Sequence, residues 1–164
     1  MNRYLKIDLS RAEEVEGNIV PAVISTDTPV DRGEYNEILE HTPEAVNIRG
    51  GGDLPLLTAH DNHEPAIGKV TNIQLDNGKL RADLEFGTST RAVELLEDIK
   101  RKVINGVSIG YRILEREMDG RNLIAKSWEL FEASIVGVQA DLETGFYRSQ
   151  NKEKIMNTEN SIDT

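Results

Sequence analysis

The sequence predicts an α+β domain that is mostly β: a small, closed or partly open β-barrel with flanking helices. Short apolar runs recur between residues 18 and 138, separated by clusters of Gly, Pro, Asn and Asp, as is typical of strands joined by turns. Only the segment 90–104 repeats its apolar residues clearly at a helical spacing. Many short strands with one or two helices indicate a small barrel-like domain.

The length of the chain and its C-terminal composition set the domain limits. Its 164 residues suit one domain, and a chain of this size buries about 70% of its unfolded surface. We assign residues 1–148 to this domain. Residues 149–164 are polar and contain no aromatic residue, so they cannot bury enough apolar surface to offset the entropy of ordering. They are predicted to form a flexible C-terminal tail or a linker.

The composition also excludes several classes of function. The chain has no Cys, which excludes thiol catalysis, disulfides and thiolate metal sites. Its 29 acidic and 19 basic residues give a formal net charge of -10, which argues against a direct nucleic-acid partner. Residues 1–8 carry charges where a signal peptide needs an apolar run, and no stretch approaches the roughly 20 apolar residues of a membrane span. We therefore expect a soluble protein without a membrane partner.

The first part of the domain is predicted to contain one strand, two loops and a short helix. Residues 18–25 form an apolar run in which Pro21 indicates an edge strand or a bulge. Residues 26–33 are rich in turn residues and are predicted to be a loop. A short helix is predicted over 34–40, and a second loop over 41–53.

The middle of the domain is predicted to form a hairpin. Residues 54–59 are a short apolar run that ends at His60. The segments 66–75 and 79–86 are predicted to pair, because Asn77-Gly78 between them suits a type I′ turn, in which both central residues have positive φ. In the second of these strands every other residue is apolar, which predicts one buried face.

A helix and two strands are predicted to complete the domain. The helix is expected over 90–104, with N-cap candidates within 87–90 and its end at Asn105-Gly106. Its predicted buried stripe consists of Val93, Leu96, Ile99 and Val103. A strand over 107–114, a turn over 118–122 and a return through 123–125 and 128–138 follow.

The alternation in the last two strands places specific residues on one face. Ser108 and Gly110 fall opposite the apolar face of the strand 107–114, and the Gly leaves a shallow space beside the hydroxyl where a substrate backbone fits. The alternative interpretation is an ordinary strand with a Ser on its wet side. In the last strand one face is predicted to carry Leu130, Glu132, Ser134 and Val136.

His60 and Ser108 are candidates for a general base and a nucleophile. A His takes and returns a proton near neutral pH, and a Ser hydroxyl needs such a base before it attacks. The base in turn needs a carboxylate to fix its tautomer. Glu132 is the first candidate, because it lies in the mostly apolar stretch 128–138, although a carboxylate at the barrel rim is the alternative interpretation. Asp61 is a weaker candidate, because adjacent strand residues point to opposite faces.

The other His residues offer weaker hypotheses. His60 and His63 have a spacing that brings two imidazoles together on a helix, which would suit a metal. Pro65 and the turn-rich surroundings argue against a helix there, so no metal site is predicted. His41 lies in a predicted loop and is expected to be solvated.

The chain resembles the tailed-phage prohead maturation proteases in four blocks that occur in the family's order. The blocks are residues 54–61, 67–70, 107–111 and 130–136, and the loop 26–32 is also similar to one common in that family. The resemblance covers residues 18–142. The sequence departs from the family at Gln139-Ala140, where Pro-Ala is usual.

The resemblance implies a β-barrel with flanking helices, because the family is related in fold to the herpesvirus assemblins. It implies a serine endopeptidase without cofactor or metal, with His60 as base and Ser108 as nucleophile. The third position is a second His in the herpesvirus relatives, and the matching strand here carries Glu132. A non-catalytic capsid assembly or scaffold module with the same barrel is the alternative function.

The resemblance also implies partners and a location. The expected substrates are the phage major capsid protein and the scaffold segment, with the chain itself as a further candidate. The expected location is the host cytoplasm, inside the assembling procapsid. Assemblins are dimers, so a homodimer or a higher oligomer is an open expectation.

Overall fold

The computed structural model of the protein describes residues 2–6, as backbone, and residues 17–137. This described part contains ten strands, one α-helix and a 3-10 turn at Arg49–Gly51. The strands and the helix are β1 (Asn2–Lys6), β2 (Ile19–Thr26), β3 (Val30–Asp31), β4 (Asn36–Leu39), β5 (Val46–Ile48), β6 (Leu54–Thr58), β7 (Gly68–Asp76), β8 (Lys79–Phe86), α1 (Thr90–Lys100), β9 (Gly106–Asp119) and β10 (Asn122–Val136).

The ten strands form one curled sheet. Its main path runs β1-β9-β10-β6-β7-β8-β2, and the two end strands, β1 and β2, lie close to each other. Three short strands, β4, β5 and β6, run parallel to β10 one after another along one of its edges, and β9 pairs with its other edge. The predicted mostly β, partly open barrel is therefore confirmed.

The hairpin of β7 and β8 agrees with its prediction. Asn77 and Gly78 join the strands with φ values of 54° and 77°, as a type I′ turn requires. The apolar face of β8 is buried in the core, and its members are Leu80, Ala82, Leu84 and Phe86. Pro21 lies in β2, which is an end strand of the sheet, as its sequence indicates.

Residues 34–40 do not form the predicted short helix. They contain β4, in which the completely buried Glu37 and Leu39 alternate with less buried neighbours, a period of two. Ile38 pairs with Ile124 of β10 in parallel register. A helix this short is marginal by itself, so the pairing with β10 decides the local structure. The predicted loop 41–53 likewise contains β5.

The buried carboxylate of Glu37 is held by Arg32 and Tyr111. The Tyr111 hydroxyl donates a hydrogen bond to Glu37 Oε1, and Arg32 Nη2 lies 3.2 Å from that oxygen and 3.0 Å from the Tyr111 hydroxyl oxygen. Burial lowers the pKa of the Arg32 guanidinium, but Tyr111 and Glu37 outweigh it and raise the pKa above its usual value. This cluster ties β4 to β9 in the core.

The helix α1 is shorter than predicted. It ends at Lys100, and Lys102 adopts a φ of 63°, so the chain leaves the helix before Asn105-Gly106. Of the predicted buried stripe, Leu96 and Ile99 are buried, whereas Val93 is 48% and Val103 70% exposed. Val103 lies beyond the helix end, and Val93 lies about 100° around the helix from the buried Ala92. Ala92 and Leu95 complete the buried face instead.

Several expectations fall outside the described residues. They are the tail 149–164, the domain limit at 148 and the departure at Gln139-Ala140. The helix in the described ranges is too short and too polar to cross a membrane.

Candidate active site

Ser108 lies near the start of β9, between β1 and β10. Tyr4 is its register partner in β1, and Ser134 is its register partner in β10. The neighbours Val107 and Ile109 belong to the core, so Ser108 points away from the main core, as the alternation predicts. It nevertheless exposes none of its surface.

His60 follows the end of β6 and lies on the same face of the sheet as Ser108. Thr58 lies opposite Ile135 of β10, and Ala59 N then donates a 2.9 Å hydrogen bond to Ile135 O. Ala59 and His60 adopt φ values of 50° and 58°, in the left-handed region that few residues other than Gly occupy. This turn ends β6 and brings the imidazole to both β9 and β10.

A β-bulge in β10 delivers Glu132. Leu130 lies opposite Tyr111 of β9, and Glu132 lies opposite Gly110, so that Phe131 is the extra residue. Leu130 therefore packs in the core and does not share a face with Glu132, which corrects the prediction. Without the bulge, a strict alternation would place Leu130 and Glu132 on the same side.

The structure brings the three predicted side chains together. His60 Nε2 lies 2.7 Å from Ser108 Oγ, and His60 Nδ1 is hydrogen-bonded to Glu132 Oε1. An ionised carboxylate only accepts hydrogen bonds. A neutral imidazole with its proton on Nδ1 can therefore donate to such a carboxylate and accept at Nε2 from a Ser hydroxyl, and this geometry suits the tautomer that a general base requires.

The space beside Gly110 is filled by protein. A Cβ at Gly110 would lie 2.7 Å from Phe131 Cε2 and 2.8 Å from Glu132 Cδ, closer than real contacts allow. The expectation that a substrate backbone fits into this space is therefore wrong. Gly is needed here because the carboxylate of Glu132 lies directly against the β9 backbone.

Ser134 is part of the cluster and was missed by the sequence analysis as a functional candidate. Its hydroxyl donates a 2.9 Å hydrogen bond to Glu132 Oε2 and accepts a 3.0 Å hydrogen bond from the His60 backbone N–H. The sequence pattern could have indicated Ser134, because it lies two residues after Glu132 on the same predicted face of the strand.

Asp61, the other candidate carboxylate, lies in the turn that follows His60. It accepts a 2.9 Å hydrogen bond from the His63 backbone N–H. Among the described residues there is no group of three or more His, Asp or Glu side chains that could hold a metal ion. Glu132 is thus a carboxylate that the structure places in hydrogen-bond contact with the His60 imidazole.

His41 is not solvated, contrary to the prediction. Its Nε2 lies 2.8 Å from Ser25 Oγ and its Nδ1 lies 2.8 Å from Leu39 O. The ring also packs on Trp128, with the ring centres 5.3 Å apart. The residue joins the ends of β2 and β4 to β10, which is a structural role.

Comparison with known proteins identifies similar sequences. The sequence profile of a family described as caudovirus prohead serine protease matches residues 12–160 of the chain. The chain is also similar to the major capsid protein of Halomonas phage phiHAP-1, with 33% identity over 139 residues. That similarity covers 78% of this chain and 23% of the capsid protein, so the chain corresponds to only part of that relative. No solved structure gives a significant match.

Proposed function

The chain belongs to the caudovirus prohead serine protease family, and we propose that it is a serine endopeptidase with Ser108 as nucleophile, His60 as general base and Glu132 as the carboxylate that orients His60. The observation that carries this proposal is the position of the His60 imidazole. It bridges the Ser108 hydroxyl and the Glu132 carboxylate through its two different nitrogens.

The proposed reaction proceeds through an acyl-enzyme. Ser108 Oγ attacks the carbonyl carbon of the scissile peptide bond while His60 Nε2 takes the hydroxyl proton. The imidazolium is stabilised by Glu132 and then gives that proton to the leaving amine as the C–N bond breaks. A water molecule, deprotonated by His60, attacks the ester carbonyl, and Ser108 leaves with the proton. The products are an amine and a carboxylic acid, and no cofactor is consumed.

The proposed substrates are phage head proteins. Membership of a prohead protease family and similarity to a protein named major capsid protein both support the capsid protein as a substrate. The scaffold segment is included in the proposal. Self-cleavage is included in the proposal. The reaction would then take place in the host cytoplasm, inside the assembling procapsid, where the capsid protein surrounds the enzyme.

The test combines co-expression with intact mass. The wild-type chain and Ser108→Ala are each expressed with the capsid and scaffold proteins of the same phage, and the masses of all chains are measured. Wild type is expected to release defined fragments, and Ser108→Ala is expected to release none. Ser127→Ala, a Ser-to-Ala change on β10 away from the site, serves as the matched control and should cut like wild type. Equal cleavage by wild type and Ser108→Ala would reject the proposal.

A second candidate function is a non-catalytic assembly module that binds the capsid protein. The similarity to a chain named major capsid protein favours it, as does the complete burial of Ser108. This function predicts that wild type binds the capsid protein without cutting it. It also predicts that Ser108→Ala and Glu132→Gln bind with unchanged affinity, measured by co-purification of assembled particles.

A further inference from the structure

Ser134 joins two of the three residues of the proposed site, the Glu132 side chain and the His60 backbone, through one buried hydroxyl. It exposes none of its surface, and it lies on β10 directly opposite Ser108. Its oxygen accepts from His60 N–H at 3.0 Å, and its proton goes to Glu132 Oε2 at 2.9 Å. Both the donor and one acceptor position of the hydroxyl are therefore used within the site.

The contact with Glu132 fixes the orientation of the carboxylate. The terminal torsion of a Glu side chain has a broad, shallow preference, so packing and hydrogen bonds must choose the angle. With Oε2 held by Ser134, Oε1 is directed at His60 Nδ1. The side chain of Glu132 is 7% exposed, so little water is present to replace a lost hydrogen-bond donor.

The contact with His60 fixes the backbone that carries the imidazole. His60 has a φ of 58°, which is unfavourable for a residue with a Cβ. The hydrogen bond from His60 N–H to Ser134 Oγ holds this conformation, and it comes from the same side chain that holds Glu132. One hydroxyl thus sets the positions of both partners relative to each other.

From this geometry we propose that Ser134 is a positioning residue of the site, which holds Glu132 and His60 in the arrangement that activates Ser108. This inference rests on the proposed function. Ser134 makes its hydrogen bonds to the Glu132 carboxylate and to the His60 backbone N–H. It acts through the carboxylate and through the backbone of the base, as outer-shell hydrogen-bond partners do in other sites.

The kinetic test uses a fluorophosphonate as the probe. It reacts with an activated Ser: the Oγ–P bond forms, fluoride leaves, and the hydroxyl proton passes to the base. The rate constant at saturation and the apparent binding constant are measured for wild type, Ser134→Ala, Ser134→Thr and the control Ser127→Ala. We expect Ser134→Ala to lower the saturating rate about tenfold with unchanged binding, Ser134→Thr to recover it within about threefold, and Ser127→Ala to match wild type.

A double-mutant cycle separates positioning from general packing. In the Glu132→Ala background the carboxylate is absent, so Ser134→Ala is expected to lower the rate by no more than about threefold further. An equal loss in both backgrounds would overturn the proposal, as would a Ser134→Ala rate within twofold of wild type. Thermal unfolding of each variant identifies any loss of rate that is caused by misfolding. If Ser134→Ala does not fold, Ser134→Thr, which keeps the hydroxyl, still tests the proposal.

A spectroscopic measurement distinguishes failure of this inference from failure of the proposed function. The ¹⁵N resonances of His60 report which ring nitrogen carries the proton, and they need no substrate. Wild type is expected to show the Nδ1–H tautomer, and Ser134→Ala a mixture of both. If wild type in assembled particles fails to react with the probe while this shift is still seen, the enzymatic proposal is wrong and the positioning role stands. An unchanged tautomer in Ser134→Ala would overturn the positioning role.

Discussion

At the scale of single residues, the site depends on a carboxylate that is kept buried by three close neighbours. Burial of an ionised group is costly unless hydrogen bonds replace its water. Glu132 receives hydrogen bonds from His60 Nδ1 and from the Ser134 hydroxyl, and its side chain lies against Gly110. Changes of one or two atoms at this position should therefore have large effects on the rate.

Glu132→Gln should lower turnover of a cleavable capsid substrate by about 10⁴-fold, as the corresponding amide change does in a known serine protease. The amide presents an N–H group, which favours the tautomer of His60 that cannot accept the proton of Ser108. The measurement is kcat on the capsid substrate. Glu115→Gln makes the same chemical change at an exposed position of β9 and should match wild type. A Glu132→Gln variant within tenfold of wild type would contradict the role given to Glu132.

Gly110→Ala should lower kcat by about 10²-fold, because a misplacement near 1 Å has effects of that size. The new methyl group would overlap Phe131 and Glu132, so the carboxylate must move away from His60. Gly52→Ala is the control, because an added Cβ there meets nothing within 4 Å. Unchanged kcat in Gly110→Ala would mean that the contact of Glu132 with the β9 backbone is not needed.

At the scale of elements, β10 organises the site because it pairs with the strands that carry the other members. Its register places Ser134 opposite Ser108 of β9, and β6 beside it ends at the turn that carries His60. The bulge at Phe131 re-aims Glu132 toward these two residues. The helix α1, by contrast, packs on β8.

Ser89→Ala should lower the free energy of unfolding by about 1 kcal/mol without changing the reaction of Ser108. The Ser89 hydroxyl caps α1 by accepting a 3.2 Å hydrogen bond from Ala92 N. Denaturant unfolding gives the stability, and fluorophosphonate labelling gives the reactivity. The neighbouring exposed Thr88→Ala, which removes no cap, should leave both unchanged. A loss of reactivity in Ser89→Ala at full folding would show that α1 is coupled to the site.

At the scale of the whole molecule, the side chains of the proposed site are in place, but the burial of Ser108 makes its hydroxyl inaccessible. The His60 side chain is 16% exposed, whereas Ser108 exposes nothing. A peptide can reach Ser108 Oγ only if neighbouring parts of the chain move. We therefore expect the proposed protease activity to be controlled by access to Ser108.

Labelling of Ser108 by a fluorophosphonate should be at least tenfold faster in assembled particles than in dilute solution. The physical reason is that binding of the capsid protein selects the conformation in which Ser108 is accessible, and a tenfold effect needs a population shift of about 1.4 kcal/mol. Particles assembled with Ser108→Ala give the background. Equal labelling rates in both states would contradict control by assembly.

Those parts of the structure that depend on local chemistry could be predicted from the sequence. The Asn77-Gly78 turn requires two residues with positive φ, and the alternation along β8 requires one buried face, so both could be predicted from nearby residues. His60, Ser108 and Glu132 could also be selected from the sequence as candidates. Few other residue types can serve as a base or a nucleophile, and Glu132 is a carboxylate in apolar surroundings. The order of the family's blocks along the chain made the family recognisable.

Features that depend on pairing between distant segments could not be predicted in this way, because they form only when the chain has folded. Residues 34–40 form a strand because β10 offers an edge to them, and no local pattern contains that edge. The bulge at Phe131 is a difference in register between two strands, so a strict period of two misplaces Leu130. Gly110 and Ser134 gained their roles in the same way. Gly110 contacts the Glu132 side chain, which is more than 20 residues away, and Ser134 bonds to His60 on another segment. These contacts contribute to the free energy of folding only when the sheet has formed.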